Sequence, residues 1–179
     1  MDFDGELRSG VLLKRSKRFL ADVRLSDGRV VTAHVANSGS MTGLSDPGLS
    51  VALSYRPAPH RKLKWSLELV RADGVWVCVD TMLANAIVAD AVAEKRIRPL
   101  GGYTRLLREK AYGRNSRIDI LLQGRKGSCY VEVKNVTLKS GRYALFPDAV
   151  TARGAKHLEE LRGVVRSGHR AVIFFLVNR

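Results

Sequence analysis

Two neighbouring apolar segments that carry acidic side chains limit most strongly what this chain can fold into. Asp119 lies inside the run Ile118–Leu122, and Glu132 lies between two valines in the run Cys129–Val136. Segments of this composition are typical of strands that a sheet buries. A charged group placed in such a strand loses its hydration, and it is retained only where a partner compensates for that loss. The fold must therefore supply these two acids with a partner.

The residues around Glu132 indicate what that partner is. Glu132 and Lys134 are two apart, so on a strand they share one face, while the alternate valines point into the core. The polar turn Gln123–Gly127 joins the two segments, and we expect a hairpin that brings Asp119 beside Glu132. Two carboxylates ~4 Å apart repel by roughly 4 kcal/mol at an effective dielectric near 20. We predict that both ligate Mg²⁺ or Mn²⁺, which prefer hard oxygen ligands.

The same pattern indicates a reaction. Asp119, 12 intervening residues, and then Glu132-Val133-Lys134 form the D-x(n)-E-x-K motif of nucleases. Lys134 would orient an attacking water or stabilise the charge that develops on a phosphate. Glu109, on the preceding predicted strand, is a further catalytic candidate. The motif is short, and the alternatives are an Asp–Lys or Glu–Lys surface ion pair on a half-exposed sheet and a solvent-facing Glu109.

The order of elements places the motif in an α/β domain, which we predict to span residues 76–179. A helix capped by Thr81 precedes three strands, and a helix over 153–167 precedes a buried strand. The last strand–helix–strand step predicts a right-handed parallel crossover. The predicted strands are Thr104–Ala111, Arg117–Leu122, Cys129–Val136 and Ala171–Val177.

Residues 1–75 have a different pattern, which predicts a small β-barrel. Asp27-Gly28 separates the apolar runs Phe19–Leu25 and Val30–Val35, which is a strong hairpin signal. Two further strands are predicted at Val51–Tyr55 and Leu63–Val70. Several short strands in so few residues favour an OB-fold-like domain.

The charge of the chain indicates a polyanionic partner. Its net charge is +14, and residues 76–179 contain 19 basic and 9 acidic side chains. Such an excess favours nucleic acid through counterion release. DNA is the leading partner, and RNA is an alternative because OB-folds bind either. The predicted nucleic-acid-binding residues are Asn37, Ser38, Lys139, Arg142, Arg153 and Lys156. A tight barrel connection at Asn37-Ser38 and a solvated helix end at Arg153 and Lys156 are the alternatives.

Other features of the sequence concern where in the cell the protein is expected and what it binds. The N-terminus is acidic and lacks an apolar core, and both cysteines lie in apolar runs, so we expect a cytoplasmic protein without disulfides. The strongest apolar run, Ala171–Val177, is too short to cross a bilayer, and we expect no membrane partner. Nothing in the sequence indicates an oligomeric state. His157 and His169 lack metal-ligand spacing, and we assign neither a role.

The chain resembles the sugar fermentation stimulation protein A (SfsA) family over nearly its whole length. The segments that carry the resemblance are His34–Leu44, Gly74–Val77, Thr81–Asn85, Tyr112–Asp119, Cys129–Leu138 and Phe146–Gly154. The resemblance implies an N-terminal OB-fold and a C-terminal restriction-endonuclease-like PD-(D/E)XK domain. It places the family's acid cluster on Asp119, Glu132 and Lys134, with Glu109 on the preceding strand.

The resemblance also implies DNA binding without strong sequence preference and a link to sugar (maltose) utilisation. The alternatives to a nuclease are a non-catalytic, DNA-binding regulator of sugar metabolism and a nuclease directed at RNA. Two departures stand out. Val35-Ala36 replaces an expected Cys-Pro, and family members continue for several dozen residues past the position of Arg179. We therefore expect the second domain to be shortened at its C-terminus.

Overall fold

A computed structural model describes residues 3, 6–125, 127–147 and 152–179, with only the backbone of Arg153 described. The chain forms two compact units. The first unit contains Met1–Met82, Val136–Ala149 and Val177–Arg179, and the second contains Leu83–Asn135 and Val150–Leu176.

The first unit contains the predicted OB-fold-like barrel. Its strands are β1 (Leu7–Ser16), β2 (Leu20–Leu25), β3 (Val30–His34), β4 (Ser50–Tyr55), β5 (Trp65–Ala72) and β6 (Val75–Cys78). They pair in the order β3-β2-β1-β4-β5-β6, and a parallel pairing of β3 with β5 closes five of them into a barrel. The β2–β3 hairpin turns at Gly28, whose φ of +85° provides the backbone conformation that the Asp-Gly signal predicts.

Strand β1 is long because its first part, Leu7–Val11, pairs with β4 and its later part, Gly10–Ser16, pairs with β2. Its pairing with β2 shifts register between Leu12 and Lys14, as at a β-bulge. At Gly10 the partner strand comes so close that an added Cβ would lie 2.6 Å from Val23 Cγ1. A side chain cannot be accommodated there, which is the usual reason for a glycine inside a barrel strand.

A helix, α1 (Thr81–Ala93), follows the barrel, and its cap differs from the prediction. Thr81 was expected to cap the helix, but its hydroxyl donates to Ala36 O at 2.8 Å. Asp80 is the cap instead, because its Oδ1 accepts the N–H of Met82 at 2.8 Å. The predicted domain boundary at residue 75 falls at the start of β6, and β6 pairs with β5 in the barrel sheet.

The remaining elements follow in chain order. They are a 3₁₀ turn at Arg98–Leu100, β7 (Arg105–Tyr112), β8 (Ser116–Gly124), β9 (Gly127–Val136), β10 (Leu138–Ser140), β11 (Tyr143–Leu145), α2 (Ala152–Arg166) and β12 (Arg170–Val177). Strands β10 and β11 form a separate two-stranded sheet, and the other four pair in the order β12-β9-β8-β7. The predicted order of helix, three strands, helix and last strand is confirmed, with β10 and β11 added between, and the last strand, β12, lies beside β9. Among the described residues, no helix has the length and apolarity that a membrane crossing requires.

The two helices of the second unit pack with different side chains of its sheet. α1 contributes Ala84 and Val88 to a cluster that contains Ile120 and Val131. α2 contributes Leu161 to a cluster with Leu121, and Tyr130 packs against it. Side chains alternate along a strand, so Glu132 lies on the face of Tyr130, which α2 covers. Alternation does not place Asp119, because Ile118 and Leu121, three apart, both belong to the cluster that contains Leu161 of α2. Glu132 of the predicted acid cluster therefore lies under α2.

Candidate active site

Asp119 and Glu132 are adjacent where β8 and β9 cease to pair regularly. The recorded pairing ends at Ile120 and Val131, and the next positions on the two strands are Asp119 and Glu132. The carboxylate of Asp119 then takes the place of a ladder partner, since its Oδ2 accepts the N–H of Val133 at 2.7 Å. Its Oδ1 accepts the side-chain amide of Asn85, on α1, at 2.8 Å. Asp119 is thus held from both β9 and α1.

Glu132 is almost completely buried, with 3% of its surface exposed. Its Oε1 accepts Lys134 Nζ at 2.6 Å and lies 2.5 Å from His157 Nδ1, on α2. Its other oxygen, Oε2, is buried and has no hydrogen-bond partner among the described residues. The Glu132–Lys134 pair is therefore an internal contact and not the ion pair of a half-exposed sheet. One carboxylate oxygen is saturated, and the other is left for a further partner.

Burial and neighbouring carboxylates perturb the titration of the cluster. The pKa of Asp119 is raised from 3.8 to about 6, first by burial and then by the charge of Glu132. The Val133 N–H and the Asn85 amide lower this pKa, while the charge of Glu109 raises it. Burial, followed by the charges of Glu132, Glu160 and Asp119, also raises the pKa of Tyr112 to about 12. The cluster remains electronegative although the chain is strongly basic.

Glu109 joins the cluster from an unusual backbone position. It lies on β7 between Arg108 and Lys110, which pair with Ile120 and Ile118, so it stands opposite Asp119. Its φ of +51° is in the left-handed region, which costs roughly 1–3 kcal/mol for a residue with a side chain. The side chain is exposed, and its Oε1 accepts the Asn85 amide at 3.5 Å. Asn85 thus bridges Glu109 and Asp119, and the strained residue is a member of the acid cluster.

The predicted phosphate-binding residues on α2 are described in part. Lys156 is about half exposed, and its Nζ donates to Arg114 O at 2.7 Å and lies 3.8 Å from Glu160 Oε1. Arg153 lies on α2, but its side chain is outside the described residues. The structure therefore brings together Glu109, Asp119, Glu132 and Lys134, with Lys156 on α2, the helix that contacts Glu132.

The other four predicted nucleic-acid-binding residues belong to the first unit. Asn37 is buried, where its amide donates to Val79 O at 3.1 Å and its Oδ1 accepts the Gly39 N–H at 2.8 Å. Ser38 beside it is exposed. Lys139 forms an ion pair with Asp73 at 3.2 Å, and Arg142 is exposed. Asn37 thus fixes the loop internally, and contact with nucleic acid stays a prediction for all four.

Two residues of the cluster escaped the sequence analysis. His157 was assigned no role because no second histidine or cysteine lies at ligand spacing from it, yet it contacts a carboxylate directly. Asn85 was noted only within a segment of family resemblance. Both lie on helices distant in sequence from β8 and β9, so spacing cannot reveal the contacts. A polar residue on the buried side of an amphipathic helix was the only available signal.

The donor set fits a hard divalent cation. The described residues contain no group of three or more His, Cys, Asp or Glu side chains arranged as a complete metal cage. Mg²⁺ does not require one, because it usually keeps several waters and is bound through one or two carboxylates. Glu132 Oε2 and the Asp119 carboxylate would supply these two oxygens.

Comparisons with known proteins agree with this architecture. The family model described as the SfsA N-terminal OB domain matches residues 13–79, and the one described as the sugar fermentation stimulation protein RE domain matches residues 82–179. The chain is 58% identical over 181 residues to a sugar fermentation stimulation protein homolog of Rhodospirillum centenum, which covers 100% of the chain and 78% of the relative. It is 56% identical over 173 residues to the homolog of Geobacter sulfurreducens, which covers 97% of the chain and 74% of the relative.

A solved structure has the same fold. The structure of Pyrococcus furiosus SfsA in complex with Ca²⁺ superposes with a TM-score of 0.87 at 29% identity, over 98% of this chain and 74% of that one. The two-part architecture of an OB-fold-like barrel and a restriction-endonuclease-like α/β domain is therefore confirmed.

Proposed function

We propose that this chain, which belongs to the sugar fermentation stimulation protein (SfsA) family, binds DNA and hydrolyses its phosphodiester bonds with a divalent cation. Asp119 and Glu132 would hold the cation, and Mg²⁺ and Mn²⁺ are the expected ions. The observation that carries this proposal is the buried Oε2 of Glu132, which has no partner among the described residues and adjoins a carboxylate with a raised pKa.

The charge of the chain and its similarity to known proteins support DNA as the partner and a divalent cation as the cofactor. A net charge of +14 favours phosphate polyanions, and the chain has the OB domain of its family. The related P. furiosus protein was solved with Ca²⁺, which is also an ion of oxygen ligands. DNA is preferred over RNA because the second domain is restriction-endonuclease-like, and restriction endonucleases cleave DNA.

Each residue of the cluster has a separate task in this proposal. A bound cation would polarise the phosphate and lower the pKa of a coordinated water. Asn85 holds Asp119 in place through a 2.8 Å hydrogen bond. Lys134 is about a quarter exposed, so its ammonium group can reach a phosphate oxygen as well as Glu132. Glu109 adds a third carboxylate at the exposed rim of the cluster.

Cleavage of end-labelled DNA and RNA, single- and double-stranded, with Mn²⁺, Mg²⁺ or EDTA tests the proposal. We expect cation-dependent cleavage of DNA by the wild type and its loss in Glu132→Gln. Glu159→Gln is the matched control, because Glu159 is an exposed glutamate of α2 that pairs only with Arg162 and Arg166 among the described residues. Cleavage that persists in Glu132→Gln, or cleavage of RNA alone, would contradict the proposal.

A second candidate is a DNA-binding regulator that does not cleave. The observation that favours it is the lack of a complete cage among the described residues, since Lys134 and His157 already engage Glu132. Salt-dependent DNA binding without cleavage in any cation would support this candidate. Substituting Arg142 or Lys156 by Ala should then lower the salt slope of binding by about 1 if each contacts a phosphate.

A further inference from the structure

We propose that His157 is a positioning residue that fixes the Glu132 carboxylate with Oε2 directed to the cation. The inference rests on the proposed function, because it concerns the same cation site. It assigns a task to the only polar contact that α2 makes with Glu132 among the described residues. Lys134 approaches the same oxygen from the strand that carries Glu132, so the two donors reach Oε1 from different elements.

The hydrogen-bond geometry defines what His157 contributes. An ionised carboxylate can only accept, and Lys134 Nζ lies 2.6 Å from the same oxygen, so Nδ1 of His157 carries the hydrogen and donates to Oε1. Both donors act on one oxygen, and Oε2 is left buried without a partner among the described residues. A carboxylate with one oxygen anchored and one free is prepared to bind a cation through the free oxygen.

The lysine alone does not fix this orientation. Lys134 has a flexible stem and is about a quarter exposed, so its ammonium group can move away when a phosphate approaches. His157 lies on a helix with only 9% of its surface exposed, and its side chain has only two torsions. The histidine is therefore the donor that remains in place throughout a binding event.

The helix itself is anchored beside His157. Glu160 Oε1 accepts the N–H of Arg114 at 3.0 Å, and Lys156 Nζ donates to Arg114 O at 2.7 Å. The β7–β8 turn that carries Arg114 thus contacts Lys156 and Glu160, which lie before and after His157 on α2. Gly113 in this turn has a φ of +56°, and a Cβ there would lie 2.9 Å from Glu160 Cδ. These contacts set the rotation and height of α2 and, with them, the position of the histidine.

Groups that orient metal ligands have a measurable effect on affinity, and their removal commonly weakens metal binding by about 10- to 100-fold. The test is a calorimetric titration of the intact chain with Mn²⁺ in the absence of nucleic acid, so the readout is independent of cleavage. His157→Leu removes the donor, while His157→Asn keeps a nitrogen donor close to the place of Nδ1. His157→Gln places its amide farther out, close to the place of Nε2.

We expect His157→Leu and His157→Gln to bind Mn²⁺ about 10- to 100-fold more weakly than the wild type. His157→Asn should recover most of the affinity. His169→Leu is the matched control, because His169 is exposed and its described ring contact is with Tyr130. Circular dichroism verifies that each variant is folded, and the Asn–Gln contrast keeps the test valid if the Leu variant is not.

Three results would overturn the inference, and they differ in what they say of the site. Wild-type binding that Glu132→Gln abolishes but all three His157 variants retain would refute the positioning role and leave the cation site intact. Absence of Mn²⁺ binding in the folded wild type would refute the cation site and the positioning role together. Equal weakening in the Asn and Gln variants would show that His157 only packs.

Discussion

Replacing Asp119 by asparagine should make the cation-free protein more stable at alkaline pH and less stable at acidic pH. The carboxyl has its pKa raised from 3.8 to about 6 in the folded chain, so the folded state holds this proton more tightly than the unfolded state does. The protonated Asp119 carboxyl therefore contributes its full share to the free energy of unfolding below about pH 4, and this contribution is lost as the pH rises through about 6. This rise of the Asp119 pKa from 3.8 to about 6 corresponds to roughly 3 kcal/mol.

The asparagine side chain of Asp119→Asn avoids the cost of a buried charge, but it recovers only part of the corresponding free energy of unfolding. The carbonyl oxygen of the new side chain can still accept the Val133 N–H that Asp119 Oδ2 accepts at 2.7 Å. Its amino group, however, would face the amide nitrogen of Asn85, which lies 2.8 Å from Asp119 Oδ1. Two donors in contact cost about 1–2 kcal/mol. The net result is a gain of about 1–2 kcal/mol at pH 8 and a loss of similar size at pH 4.

Unfolding must be followed by a probe of the second unit. The two tryptophans, Trp65 and Trp76, lie on β5 and β6 of the barrel, so their fluorescence reports the first unit. Far-UV circular dichroism in EDTA, with hydrogen exchange of β8 and β9, covers the second unit. For a chain of this size 1 kcal/mol moves Tm by about 2–4 °C.

The pH dependence is the decisive result. Asp90→Asn is the matched control, because Asp90 is exposed on α1 and should show no crossover between pH 4 and pH 8. Mn²⁺ should raise Tm of the wild type and leave Asp119→Asn unchanged, since ligand binding to the folded state stabilises it. A stability difference that stays constant with pH, or a variant that is less stable at pH 8, would refute the reasoning.

Three further substitutions test other features. Glu109→Gly removes a side chain from a residue with a φ of +51°, so the free energy of unfolding should rise by about 0.5–1 kcal/mol while Mn²⁺ binding weakens. An unchanged Tm would contradict the claim that the backbone of Glu109 is strained. Gly113→Ala forces a Cβ against Glu160 and should increase hydrogen exchange in α2, whereas wild-type protection would mean that the turn adapts. Ser54→Ala removes the 2.6 Å hydrogen bond to buried Glu68 and should cost about 1–3 kcal/mol, seen by tryptophan fluorescence; no loss would show that the carboxylate finds another donor.

Much of the fold was predictable because its signals are local. The Asp27-Gly28 turn identifies the β2–β3 hairpin, and continuous apolar runs identify β8, β9 and β12. Strand β1 was not singled out because its residues are largely polar or half-exposed, and it is stabilised by pairing with β2 and β4. The short strands β10 and β11 carry exposed residues and have no apolar periodicity to detect.

The site was predictable as far as strand geometry determines it. Alternation along β9 places Glu132 and Lys134 on one face, and the hairpin brings Asp119 beside them. The contacts of Asn85 and His157 depend on how α1 and α2 pack, which no spacing in the sequence encodes. For the same reason the sequence could not show that only one oxygen of Glu132 is satisfied.

If the cluster binds a cation and DNA as proposed, its charges predict that the two bind cooperatively. Among the described residues, the three carboxylates Glu109, Asp119 and Glu132 have one ammonium group in contact, that of Lys134 with Glu132 at 2.6 Å, and the pKa of Asp119 is still raised. A phosphate placed here without a cation would add negative charge to an electronegative site. Binding free energies are reciprocal, so Mn²⁺ should tighten DNA binding by the factor by which DNA tightens Mn²⁺ binding. Titrations of DNA with and without Mn²⁺ measure this factor, and equal affinities would mean that DNA does not reach the acid cluster.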